Sequence, residues 1–198
     1  MKNLHFPLHF RFRISTIAND FVAKDASERT IAYVRQKLFK LKEAIDIYNN
    51  EEKTELLYTI KADKWLDFNT AYAFKDAQGN ELGKIVRKGW RSLWKAEYEL
   101  IDQHGELQYH IREKNPWVKV MDGFVGEIPI VNFFSGYMFN PAYVLTDLAQ
   151  KPYAILQKNA SFFGRKFTLQ KLEEIDADDE ARIALGFMMM ILLERRRG

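Results

Sequence analysis

The densest candidate chemistry in the sequence is the stretch from Lys84 to Lys95 (KIVRKGWRSLWK). It sets Lys84, Arg87, Lys88, Arg91 and Lys95 around Gly89, together with Trp90 and Trp94. Arginine and lysine offer charge-assisted hydrogen bonds to phosphate oxygens, and tryptophan suits a lipid interface or the face of a base. The expected site is therefore an anion-binding turn built from Lys84, Arg87, Lys88, Trp90, Arg91 and Lys95. The competing reading is a solvated turn whose Trp94 enters the core beside Ala96 and Tyr98. Alternation along a strand also sets Lys84 and Arg87 on opposite faces, which works against convergence. A smaller basic group, Lys158, Arg165 and Lys166, flanks the apolar pair Phe162-Phe163.

Other chemistry is thinly represented. There is no cysteine, which removes disulfides, thiolate catalysis and cysteine zinc sites. G-x-S-x-G, P-loop, G-x-G-x-x-G and H-E-x-x-H patterns do not occur. His5 and His9 are separated by Pro7, while His104 and His110 fall in a turn and the strand after it, so a shared metal is not expected. The acidic run Glu173 to Glu180 lacks EF-hand spacing and a central glycine, and reads as a linker into a helix. Met188 to Met190 read as core packing rather than as ligands. No catalytic residue, metal or cofactor is expected.

The elements that must position such a site are mostly strands. Leu8, Phe10, Phe12 and Ile14 alternate with polar residues, the period of a half-buried strand. Asn19 to Arg29 is polar and aperiodic and reads as a connection. From Ile31 onward short β-like runs alternate with turns, most clearly at Asp76-Ala-Gln-Gly79-Asn80 and Asp102-Gln-His-Gly105. Glu-Leu followed at fixed distance by a branched aliphatic recurs at Glu55-Leu56, Glu81-Leu82 and Glu106-Leu107, with a degenerate fourth copy at Tyr143 to Gln157. Such a period admits a propeller or solenoid, but two-stranded copies fit a meandering sheet or barrel better. Gly123, Gly126, Pro129, Gly136 and Pro141 loosen the pattern between Trp117 and Pro141, where aromatics crowd. Two more strands are expected, at Tyr153 to Lys158 and Lys166 to Leu172.

The chain ends in an apolar helix, Asp178 to Arg197. Its run from Ile183 to Leu193 covers roughly 16 Å, about half a bilayer core, and leaves no polar face. It is therefore expected to be sheathed by protein. Acidic residues at its start and arginines at its end complement the helix dipole. At 198 residues, 47% hydrophobic and 29% charged, the chain suits one globular domain, and a net charge of +3 permits an anionic partner without requiring one. No secretory signal or transmembrane helix is expected.

Tyr33-Val-Arg-Gln-Lys37-Leu-Phe39, the hairpins at Asp76…Gly79 and Asp102…Gly105, and the terminal apolar helix together resemble the LURP-one-related proteins. That family is grouped with the tubby C-terminal domain and the phospholipid scramblases, and the resemblance spans Ile31 to Arg195. It implies a mainly β (α+β) fold: a closed antiparallel barrel of about twelve strands around a buried hydrophobic C-terminal helix. On that view residues 1–198 form a single domain, with an N-terminal strand and connection to residue 30, strands over 31–172 and the helix over 178–196. The resemblance also implies a non-enzymatic role, since tubby-like domains bind phosphoinositide head groups. The calcium segment and cysteine-rich stretch of scramblases have no counterpart here.

The functional expectation is a cytoplasmic, peripheral binding module docking anionic phosphate or phospholipid head groups through the basic turn. The alternative is a protein–protein scaffold using an exposed aromatic patch at Phe133 to Tyr143. Nucleic acid is the disfavoured partner for the same basic turn.

Overall fold

The structure, a computed structural model, describes residues 4–13, 20–35, 44–63, 70–88, 97–114, 142–159, 161 and 166–195. Twelve strands form a closed barrel: β1 (Leu8–Phe12), β2 (Phe21–Lys24), β3 (Thr30–Arg35), β4 (Ile45–Tyr48), β5 (Leu56–Ala62), β6 (Thr70–Asp76), β7 (Glu81–Arg87), β8 (Glu97–Ile101), β9 (Leu107–Lys114), β10 (Ala142–Thr146), β11 (Pro152–Asn159) and β12 (Lys166–Lys171). Each pairs antiparallel with its chain neighbours, and β1 closes the ring onto β12, with Leu8 opposite Leu169 and Phe10 opposite Phe167. Closure removes both edges of this sheet, so among the described residues the barrel leaves no row of unpaired backbone groups for another chain to extend.

The period-two pattern decides which residues enter the lumen. Leu8, Phe10 and Phe12 of β1, Ile45 and Ile47 of β4, Phe74 of β6, Ile85 of β7, Tyr98 and Leu100 of β8, and Leu156 of β11 are all buried. They meet helix α1 (Ala177–Arg195), in which every residue from Glu180 to Leu193 is buried. An apolar helix with no solvent face needs such a sleeve, because each buried Phe, Met, Ile or Leu gains about 1.5–3 kcal/mol from leaving water. The helix packs tightly against β8 at Gly186, where a Cβ would meet Leu100 Cδ1 at 3.0 Å. Glycine permits that approach.

Five hairpin turns share one design. Asp25, Asn50, Asp76, Asp102 and Asp147 each accept, on the backbone carbonyl, the N–H three residues on. Their side-chain Oδ1 accepts the N–H four residues on, at 2.8–3.2 Å. The residue three on lies in the left-handed region: Glu28, Lys53, Gly79, Gly105 and Gln150, at φ 59, 58, 88, 90 and 67. Asx side chains thus hold each turn by a local bond that does not need glycine.

The first of these turns corrects the reading of residues 19–29 as an aperiodic connection. It contains β2 and a tight hairpin into β3. Strand β2 is only four residues long, too short for periodicity to register, and its turn uses Glu28 where glycine would have signalled it.

All five turns follow even-numbered strands, so they lie on one rim, and α1 enters the barrel from that same rim after β12. Their carboxylates make stability depend on pH. Burial raises the Asp25 carboxyl, but the N–H groups of Arg29 and Ser27 and the Arg29 guanidinium outweigh it and hold the group below its ordinary 3.8. At Asp102 burial is likewise outweighed by the N–H groups of Glu106 and His104, and Asp76 is lowered chiefly by the Asn80 side chain. A lowered folded-state pKa contributes stability above the unfolded value that is lost as pH falls through the folded one. Thermal midpoints are therefore expected to be level above about pH 5 and to fall progressively below pH 4. Asp102→Asn should make that acid slope shallower in a Tm-versus-pH series; an unchanged slope would remove Asp102 from the account.

Candidate functional site

The expected anion site begins on β7. Gly83 and Ile85 are buried, so Arg87 shares their inward parity while Lys84 lies on the outer face. The opposite-face expectation for Lys84 and Arg87 holds. Lys88 follows the strand, its N–H donating to the Glu97 carbonyl at 3.1 Å and its Nζ lying 2.8 Å from Glu99 Oε2. Lys84 and Lys88 are four residues apart, about 13 Å along the chain at the rise of an extended strand. Trp90, Arg91 and Lys95 lie outside the described residues, as does Trp94. So do the aromatics from Phe133 to Phe139.

The second basic group also divides. Lys158 stands opposite Phe167, whose ring points into the barrel, whereas Lys166 is exposed on the outer face. Arg165 and the Phe162-Phe163 pair lie outside the described residues.

Closure of the barrel brings Lys166 to a neighbour that no local pattern announces. It stands directly opposite Arg11 of β1, some 155 positions away in the chain, and Arg11 in turn opposes Val22 of β2. The outer faces of β12, β1 and β2 form a groove of about 630 Å³, lined by His9, Arg11, Arg13, Val22, Lys24 and Lys166 among others. Two of its cations are neutralised at the margins: Lys24 by Glu28 at 3.1 Å, and Arg13 by Glu51. Arg11 and Lys166 are both exposed, and among the described residues neither has an ion pair. Thr168, two residues along β12 from Lys166 and opposite His9, has its Oγ1 accepting from Asn159 Nδ2 at 2.7 Å and lying 3.3 Å from His9 Nδ1. The alternation of His9, Arg11 and Arg13 was legible, but their partner strand was not, because no local pattern encodes β1–β12 pairing.

Near this groove Tyr33 donates its hydroxyl hydrogen to the buried Asp20 at 2.7 Å. Burial, and then the Asp20 carboxylate, push the Tyr33 phenol up to about 12. At the opposite rim Tyr109 donates to Asp179 at 2.9 Å, and burial raises its phenol further. Both phenols are held neutral by their surroundings, in the manner of structural bonds.

The acidic run leads into the helix as expected, but several of its carboxylates are ion-paired where a solvated linker is expected. Glu173 pairs with Lys151 at 3.0 Å, and Lys171 pairs with Glu174 and with Glu180 at 3.4 and 2.9 Å. Among the described residues no group of three or more His, Asp or Glu side chains is placed to hold a metal ion. Among them, too, no helix is long and apolar enough to cross a membrane.

The comparisons agree with this geometry. A family model described as LURP-one-related matches residues 30–175. No curated protein matches the chain. Among solved structures, a protein from Arabidopsis thaliana superposes with a TM-score of 0.52 at 13% identity, covering 98% of this chain and 94% of that one. That likeness speaks to the fold alone. With most of its length matched by the family model and its strands closed around one C-terminal helix, the chain belongs to the LURP-one-related family.

Proposed function

We propose that this protein is a non-enzymatic binding module that docks anionic phosphate groups, phospholipid head groups foremost, at the rim of the barrel where α1 ends. The observation carrying this reading is the division of charge between the two rims. The turn rim bears Asp25, Asp76, Asp102 and Asp147 beside the acidic start of α1. The strand ends at the other rim bear Arg13, Arg35, Arg87, Lys88, Lys158 and Lys166, against Asp20, Asp46, Asp63, Glu97 and Glu113, with Arg13 and Lys88 ion-paired to Glu51 and Glu99. A barrel charged in this way orients in the field of an anionic surface, basic rim first. The lumen is occupied by α1, which favours work on the outer surface over catalysis within. Lys84, Trp90, Arg91 and Lys95 belong to the same basic stretch of sequence and are proposed as part of the docking surface on that ground alone.

Co-sedimentation with vesicles tests it. Binding is expected to vesicles containing phosphatidylserine at low salt, to weaken at high salt, and to be absent with phosphatidylcholine alone. At about 1 kcal/mol per surface cation, the triple variant R87Q/K88Q/R91Q should bind roughly 100-fold more weakly. Equal pelleting with neutral vesicles, or a triple variant that binds like the parent, would overturn the proposal.

A further inference from the structure

We infer that the groove over β12, β1 and β2 is a binding site for a phosphate group, centred on Arg11 and Lys166. Directly opposed residues of an antiparallel pair hold their Cβ atoms about 4.5–5.5 Å apart, and like charges so placed destabilise the sheet. Arg11 and Lys166 occupy such a position, exposed and without a carboxylate partner among the described residues. Their neighbours do have partners, Lys24 in Glu28 and Arg13 in Glu51. The groove is thus neutralised at its edges and left cationic at its centre, where a bound anion would turn mutual repulsion into two attractions.

The remaining chemistry fits phosphate. Arg11 supplies a planar fork of donors and Lys166 a compact charge, a pairing that suits tetrahedral oxygens. Among the described residues Asn159 donates one amide hydrogen, to Thr168, which leaves its second as a neutral donor across from Lys166. At about 630 Å³ the groove lies within the size range of small-molecule sites, so it holds a phosphate with an organic substituent beside Val22. The shared chemistry is a phosphomonoester, and it comes either from a soluble compound or from a lipid head group.

Lys166 also belongs to the basic rim, but the groove is separable from it, because the R87Q/K88Q/R91Q variant leaves both of the groove's central cations in place. The experiment uses the full chain in phosphate-free buffer, with inorganic phosphate and phenyl phosphate titrated against chloride at equal ionic strength. Phosphate is expected to raise Tm by roughly 5–10 °C at a hundredfold excess over Kd. Arg11→Gln and Lys166→Gln should each weaken binding about 10–100-fold. Without phosphate, each should melt at or above the parental temperature, since each relieves a like-charge contact. R87Q/K88Q/R91Q should keep the full phosphate response, which separates failure of this site from failure of the rim. Vesicles containing phosphatidic acid distinguish the sources: capture lost in R11Q/K166Q identifies a lipid head group, and a response to phenyl phosphate alone identifies a soluble ester. No rise beyond the chloride control, or an equal rise in R11Q/K166Q, would overturn the inference.

Discussion

Met189→Asp is expected to leave no folded protein, with no native far-UV signal and recovery only in the insoluble fraction. Met189 is fully buried midway along α1, inside a sleeve whose inward side chains are apolar. An ionised carboxylate there has no partner, so it would take up a proton, and even the neutral acid costs about 2–7 kcal/mol to bury unbonded. Loss of the methionine contacts removes roughly another 1.5–3 kcal/mol. Together these approach or exceed the roughly 5–15 kcal/mol that holds a typical domain folded. Met189→Leu is the control, because a swap of similar volume should cost less than about 1.5 kcal/mol. A folded Met189→Asp protein that had merely lost affinity for membranes would show that the helix is an anchor and not the core.

Much of this architecture is written in local patterns. The unbroken apolar run Ile183 to Leu193 could only be sheathed, and the Glu-Leu repeats do open β5, β7 and β9. Turns at Gly79 and Gly105 announced themselves because glycine takes the left-handed position. The same position at Glu28, Lys53 and Gln150 is held by an Asx bond instead, and that bond has a weaker signature. The candidate sites were less legible for a different reason. A barrel's outer surface is assembled from strands distant in sequence, so clustering along the chain misleads in both directions. Lys84 and Arg87 are neighbours in sequence and lie on opposite faces of β7. Arg11 and Lys166 are remote in sequence and stand face to face.

Arg182→Ala is expected to cost about 3–5 kcal/mol, the range for removing one partner of a buried ionic network. For a chain of this size that lowers Tm by on the order of 10 °C. Arg182 is 5% exposed at the mouth of the barrel, one turn into α1. Its Nε donates to the Leu82 carbonyl at 2.8 Å, its Nη1 to Asp179 at 2.6 Å and its Nη2 to Gln103 at 3.0 Å. One guanidinium therefore ties the helix to β7 and to the β8–β9 turn together. Gly83 is shaped by the same contact: at φ +124, a Cβ there would lie 2.3 Å from the Ile101 carbonyl oxygen and 3.2 Å from Arg182 Cδ. Arg182→Met separates the stem from the donors, since it keeps apolar packing and removes all three bonds. If the bonds carry the effect, Met should recover little of what Ala loses in urea unfolding. Recovery to the parental midpoint would assign the effect to packing. A double-mutant cycle with Gln103→Ala then isolates one bond, with a coupling of about 0.5–3 kcal/mol expected for side chains in direct contact.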